Sequence, residues 1–104
     1  MSDYDSELVI EDDGRSLVVS PRGEIDVFFA PRLVKAFAGC TDAHKSIVCD
    51  LSAVEFLDSS GLRALIFAQR AEPARFAIAR PSETVQRLIH LTATTELFRR
   101  ADER

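Results

Sequence analysis

VEFLDSSGLRALIF, residues 54–67, is the stretch around which the rest of the chain is organised. The preceding segment, residues 46–51, is rich in β-branched residues and almost free of charge, which predicts a buried strand. After Gly61 the apolar residues come too densely and for too long to form another strand, and the prominence of Ala and Leu predicts a helix. Ser59 and Ser60 therefore lie where a strand gives way to a helix.

The Asp-Ser-Ser-Gly junction has two chemical interpretations. Asp and Ser are common caps of helix N-termini, because their oxygens accept hydrogen bonds from free backbone N–H groups. Such a terminus also carries partial positive charge and spare donors, so it favours an anion. Asp58 or one of the serines is then a structural cap, or a serine hydroxyl is a place to attach a phosphate.

Length and composition limit the class of protein. The chain has 104 residues, enough for one domain over residues 1–104, with an acidic tail at 1–7 and a charged end at 100–104. No apolar run approaches the roughly 18 residues of a membrane helix. The N-terminus lacks the basic and apolar regions of a signal peptide, so we expect a cytoplasmic protein without membrane insertion. The net charge of −4 argues against nucleic acid as a partner.

The two cysteines predict neither a redox site nor a metal site. Cys49 falls in the predicted buried strand, where it is expected to be a small core residue. Cys40 and Cys49 have no nearby pair of histidines that would complete a metal site, and no cofactor is predicted.

Strands and helices alternate along the chain, which predicts an α/β domain with a mixed sheet of four to five strands and about four helices. The first two strands, 8–10 and 16–22, form a hairpin around Gly14, with Pro21 near a strand end or on an edge. Residues 23–26 are expected to leave the second strand. The remaining elements are helices over about 29–38 and 61–71, a strand at 75–79, a helix capped by Ser82, and an apolar anchor at Leu97 and Phe98.

The helix after Gly61 has an unusually narrow polar face. At about 100° per residue, Arg63 and Arg70 fall on one polar stripe, and Ile66 and Phe67 flank it on opposite sides. Either loops or the last helix cover these two apolar side chains, or they form an exposed shoulder near Ser59 that suits a partner protein.

Residues 58–62, Asp-Ser-Ser-Gly-Leu after an apolar strand, resemble the signature of the STAS domain family. Within that family the chain is similar to the bacterial anti-sigma factor antagonists, also called anti-anti-sigma factors. Four further segments carry the resemblance: GEID at 23–26, APRL at 30–33, DLS at 50–52, and the segment from Pro81 to Leu88. The chain departs from the family at Glu72-Pro73-Ala74, where glycines are frequent, and in its short polar tail after Phe98.

The resemblance implies a phosphoprotein that regulates transcription in a stress response by partner switching. Family members bind an anti-sigma factor, often a GHKL-type serine kinase, and so free a sigma factor. The kinase phosphorylates the first hydroxyl residue after the Asp of the motif, which corresponds to Ser59, and a PP2C-type phosphatase restores the binding form. The expected partner-binding residues are Asp26, Asp58, Ser59, Ser60, Gly61, Arg63, Ile66 and Phe67.

Other functions and simpler roles stay open at this point. A STAS subunit of a membrane transporter or lipid-transport complex, bound to its ATPase, is the alternative binding module. A serine hydrolase using Ser59 with His90 would need a nucleophile elbow of the Gly-x-Ser-x-Gly type, which the sequence lacks, so no enzyme is predicted. Asp26 is otherwise a turn residue, and His44 and His90 are a loop and a helix-surface histidine.

Overall fold

The computed structural model describes residues 7–101 and confirms the α/β architecture. The predicted acidic tail and charged end lie mostly outside these described residues. Within them, three α-helices and one short 3-10 helix replace the four helices expected. The strands are Glu7–Asp12 (β1), Ser16–Ile25 (β2), Ser46–Asp50 (β3), Val54–Leu57 (β4) and Phe76–Ala79 (β5), and the helices are Ala30–Ala38 (α1), Ser59–Ala71 (α2) and Glu83–Leu91 (α3), followed by the 3-10 helix Thr95–Leu97.

The mixed sheet is built around β2. β1 pairs with it antiparallel, which confirms the predicted hairpin. β3 lies parallel to the first part of β2, at residues 16–19, and β5 lies parallel to β3. β4 lies parallel to the last part of β2, at residues 23–25. One strand thus holds both halves of the sheet together.

The prediction that residues 23–26 leave the second strand is wrong for the first three of them. Gly23 adopts a left-handed φ of 87°, and the pairing with β4 is irregular between Gly23 and Glu24, so the strand bends but continues. Pro21 lies inside β2 rather than at its end. It occupies the gap between the segment paired with β3 and the segment paired with β4, where a missing N–H is tolerated.

The core lies between the sheet and the helices, and the apolar faces of the helices supply much of it. Leu33 and Phe37 of α1 are buried, as are Val85 and Ile89 of α3. Cys49 is fully buried, as predicted, and its burial raises the pKa of the thiol far above its ordinary value. Of the predicted terminal anchor, Phe98 is buried and Leu97 is exposed.

β2 and β4 end together, because Ile25 is paired with Leu57. α1 follows β2 and α2 follows β4, so both helices begin at the same edge of the sheet and pack side by side. No helix among the described residues is long and apolar enough to cross a membrane. The architecture therefore places two helix N-termini, including the Asp-Ser-Ser-Gly segment, at one edge of the sheet.

Candidate functional site

Asp58 is the N-cap of α2, so the helix begins at Ser59 rather than after Gly61. The Asp58 backbone is extended, and its Oδ1 accepts hydrogen bonds from the N–H groups of Ser60 at 3.0 Å and Gly61 at 3.1 Å. The Ser60 hydroxyl donates to the same oxygen at 2.6 Å. The interpretation of Asp58 as a structural cap is confirmed, and neither serine serves as the cap.

The two serines differ in what their hydroxyls can do. Ser60 is half-buried, and its hydroxyl is committed to Asp58. Ser59 is exposed in the first turn of α2, and no hydrogen bond joins its hydroxyl to any other residue between 7 and 101. Of the two hydroxyls, that of Ser59 is therefore the exposed and unbonded one, and it lies in the first turn of a helix, where negative charge is favoured.

Asp26 occupies the equivalent place after β2. Its Oδ1 accepts from the N–H groups of Phe28 and Phe29, both at 3.0 Å, which shapes the entry into α1. The alternative of a turn residue is thus confirmed. The N–H of Asp58 donates to the carbonyl of Ile25 at 3.2 Å, so Asp26 and Asp58 lie on adjacent strand ends. Two carboxylates therefore lie at the edge that bears Ser59.

Gly61 lets α2 approach the strand ends closely. A Cβ at this position would lie 2.4 Å from Leu57 Cδ1, 2.8 Å from Ile25 Cγ2 and 3.1 Å from the Ile25 carbonyl oxygen. Gly61 is buried, so it positions the two serines and presents no surface of its own.

An apolar groove of about 630 Å³ runs between α1 and α2 and begins beside Ser60. Its walls come from both helices, and a smaller depression of about 190 Å³ continues it toward their C-terminal ends. Phe67 of α2 is 65% exposed and Val27, just before α1, is 57% exposed. The lining residues are Val27, Ala30, Pro31, Val34, Lys35 and Ala38 on one side and Ser60, Arg63, Ala64 and Phe67 on the other.

The groove unites some of the predicted partner-binding residues and omits others. Ser60, Arg63 and Phe67 line it, whereas Ile66 is half-buried and packs against the core. The exposed alternative for the apolar shoulder therefore holds for Phe67 but not for Ile66. The wall formed by α1 was missed, although Ala30, Val34 and Ala38 recur every four residues beside the buried stripe and could have revealed it.

The structure does not bring His90 together with Ser59. His90 is exposed on α3 and lines a separate polar depression with Glu83, Arg87 and Arg100. Within residues 7–101 no group of three or more His, Cys, Asp or Glu residues could hold a metal ion.

Asp58→Ala is expected to lower the free energy of unfolding by about 1–2 kcal/mol near pH 7, because α2 loses its cap. Burial raises the pKa of Asp58, but hydrogen bonds from the Ser60 hydroxyl and from the N–H groups of Gly61 and Ser60 outweigh it and hold the pKa below its ordinary value. A carboxyl with a lowered pKa stabilises the fold above its unfolded pKa of about 3.9 and loses that contribution as the pH falls through the folded value.

Urea melts of both proteins at neutral and acidic pH measure this effect. The difference between wild type and Asp58→Ala should shrink below about pH 4. Glu55→Ala, an exposed position on β4, is the matched control and should change little at any pH. An undiminished difference in acid would contradict the assignment of the cap.

Comparisons with known proteins agree with this geometry. The family model of the STAS domain matches residues 7–103 of this sequence. The anti-sigma-F factor antagonist RsfB of Mycobacterium tuberculosis is 35% identical over 95 residues, covering 88% of this chain and 78% of RsfB. A crystal structure of an anti-sigma factor antagonist from Mycobacterium paratuberculosis superposes with a TM-score of 0.81 at 35% identity, over 94% of this chain and 86% of the other.

A more distant structure shares the fold. The Bacillus cell fate determinant SpoIIAA in its phosphorylated form superposes with a TM-score of 0.69 at 19% identity, over 93% of each chain. Because the family model spans nearly the whole described chain and a curated member aligns over most of its own length, this protein belongs to the STAS domain family.

Proposed function

We propose that this protein is an anti-sigma factor antagonist that acts in the cytoplasm. It binds an anti-sigma factor through the groove between α1 and α2 and thereby frees the sigma factor that the anti-sigma factor held. The observation that carries the proposal is an open apolar groove that begins at Ser60, next to the exposed Ser59 at the N-terminus of α2. The 35% identity to RsfB, an anti-sigma-F factor antagonist, supports it.

The groove has the properties of a protein-binding surface. Phe67 and Val27 expose much of their apolar side chains, and Phe28 beside Val27 is 82% exposed. Large exposed aromatic and aliphatic side chains grouped on one face mark interaction sites, since burying them on binding is favourable. A binding module, rather than an enzyme, is the function that this surface supports best.

Phosphorylation of Ser59 is the proposed switch. A GHKL-type serine kinase, which is also the anti-sigma factor, transfers the γ-phosphoryl group of ATP to Ser59 Oγ and releases ADP and a proton. A PP2C-type phosphatase hydrolyses the phosphate ester and restores the binding form. The phosphate brings about −1.5 to −2 charges, which the first turn of α2 tolerates, so it acts on the interface and leaves the fold intact.

The kinase is expected to modify Ser59 and not Ser60. Ser59 is exposed, while the Ser60 hydroxyl is held by Asp58 and partly buried. Phosphopeptide mapping after incubation with the kinase and ATP measures the site. Ser59→Ala should abolish incorporation and Ser60→Ala should retain it. Phosphate found on Ser60, with Ser59→Ala still fully modified, would overturn the assignment.

Release of the sigma factor tests the proposed function itself. The anti-sigma factors encoded in the same genome are first screened for binding to this protein. The one that binds is then purified in complex with its sigma factor. Size-exclusion chromatography after addition of the protein should show free sigma factor and a new complex. Arg87→Ala, on α3 and outside the groove, is the matched control and should release sigma factor equally. If no anti-sigma factor of that genome is bound, the proposal fails.

A further inference from the structure

Three cations in or beside the groove have no ion-pair partner among the described residues. Lys35 of α1 and Arg63 of α2 line the groove, and Arg70, two turns after Arg63 on α2, lies just outside its lining. Within residues 7–101 no carboxylate forms an ion pair with any of the three. Elsewhere in the described chain, five cations do pair with carboxylates, namely Arg22, Lys45, Arg75, Arg80 and Arg87. Arg15, Arg32 and Arg99 also form no ion pair with a carboxylate in the described chain, so Lys35, Arg63 and Arg70 are distinguished by their place in or beside an apolar groove.

Charge changes sign along the groove. Asp26 and Asp58 lie at the end where both helices begin, and Lys35 and Arg63 line the groove beyond it, with Arg70 beside it on α2. Glu72 lines the smaller depression at the far end, where its carboxylate is paired with Arg75. A ligand that fills the groove must therefore offer apolar groups to its lining and negative charge to Lys35, Arg63 and Arg70, because complementary potentials favour association and like charges oppose it.

The shape of the groove favours a helix as its occupant. The lining includes the small residues Ala30, Ala38 and Ala64, which leave room for side chains from outside. The two helices that form the walls are about 13 and about 20 Å long, which corresponds to two to four turns of a helix lying alongside them. Amphipathic helices commonly bind in hydrophobic grooves of this kind.

We propose that the groove receives an amphipathic helix of the partner whose apolar face is flanked by carboxylates that pair with Lys35, Arg63 and Arg70. This inference rests on the proposed function, since it describes the segment through which the anti-sigma factor binds. A second copy of this chain fits less well. A two-fold dimer across the groove would place the same three cations of both copies in one interface, where like charges repel.

Synthetic helices test the inference without any anti-sigma factor. Three peptides of about 15 residues share one leucine face at helical spacing and carry Glu, Gln or Lys on its flanks. Each is titrated into the isotope-labelled protein and followed by NMR. The Glu peptide should shift amide signals of α1 and α2 and bind about tenfold more tightly than the Gln peptide, with the Lys peptide weakest.

A charge-reversed protein sharpens the test. Combined Lys35→Glu, Arg63→Glu and Arg70→Glu should invert the order, so that the Lys peptide binds best, while Arg87→Glu on α3 should leave the order unchanged. Equal affinities for the Glu and Gln peptides, or signal shifts only outside α1 and α2, would overturn the inference. A dimer in sedimentation velocity that Phe67→Ala abolishes would also overturn it. If the peptides do not show the expected order of affinities but sigma factor is still released, only the inference about the helix is wrong. If the peptides show the expected order but sigma factor stays bound to the anti-sigma factor, the proposed function is wrong.

Discussion

Ser59→Glu is expected to bind the anti-sigma factor about 100-fold more weakly than wild type, while Ser59→Ala binds with unchanged affinity. The added carboxylate lies at the end of the groove where Asp26 and Asp58 already place negative charge. An unpaired charge buried in an interface costs several kcal/mol, and a loss of only about 3 kcal/mol weakens binding more than 100-fold. Because Glu carries one charge where phosphate carries nearly two, true phosphorylation should weaken binding further.

Both substitutions should leave the fold intact. Asp58 caps α2, so replacing Ser59 removes no capping hydrogen bond. Glu in the first turn is favoured by the helix dipole, and at position 59 it precedes Arg63 by four residues, a spacing that adds about 0.2–0.5 kcal/mol of helix stability. Titration calorimetry beside thermal melts separates folding from binding.

Ser52→Glu is the matched control, because it adds the same charge at an exposed turn residue that does not line the groove. It should bind as wild type does. If Ser59→Glu also binds as tightly as wild type, Ser59 has no part in the interface and the proposed switch fails.

Phe67→Ala is expected to weaken partner binding by about 30-fold, or about 2 kcal/mol, while lowering stability by less than about 1 kcal/mol. Phe67 is 65% exposed on the groove wall, so the folded protein gains little from its burial, whereas a fully buried Phe costs about 3–5 kcal/mol when truncated to Ala. Denaturant melts and binding titrations on the same samples measure both quantities.

Two control variants show how an exposed and a buried apolar side chain each respond to truncation. Leu91→Ala removes an exposed apolar side chain from α3 and should change neither stability nor binding. Phe76→Ala removes a fully buried ring and should lose stability. If Phe67→Ala instead loses about 3 kcal/mol of stability, and its folded fraction binds normally, Phe67 is a core residue rather than a contact residue.

Local signals predicted much of this fold correctly. The hairpin at Gly14, the end of α1 before Gly39 and the capping of α3 by Ser82 each depend on residues close in the sequence. The continuation of β2 through residues 23–25 does not, because those residues pair with β4, which lies about thirty positions away in the chain. The pairing with β4 keeps residues 23–25 in the strand, and this long-range contact is not visible in the local sequence.

In the candidate site, too, features set by neighbouring residues could be predicted from the sequence, whereas features set by packing between distant elements could not. The Asp-Ser-Ser-Gly segment predicted the junction between a strand and a helix, since capping is local. The sequence did not show that the helix begins at Ser59, that Asp58 is the cap or that Ser59 is the exposed serine, because these depend on the folded structure. The groove is formed by two helices, so it cannot be predicted from one of them. α1 has two apolar stripes, and the spacing of Leu33 and Phe37 identifies only the one that is buried. Ile66 and Phe67 are adjacent in sequence, and only packing determines that the first contacts the core and the second lines the groove.

The switch at Ser59 is tested by the affinity of the anti-sigma factor for protein that carries phosphoserine at position 59, compared with unphosphorylated protein in the same titration. We expect the phosphorylated protein to bind at least about 100-fold more weakly, to melt at an unchanged temperature, and to recover full binding after treatment with a PP2C-type phosphatase. Equal affinities of the two forms, with phosphate confirmed on Ser59 by mass spectrometry, would contradict the proposed switch.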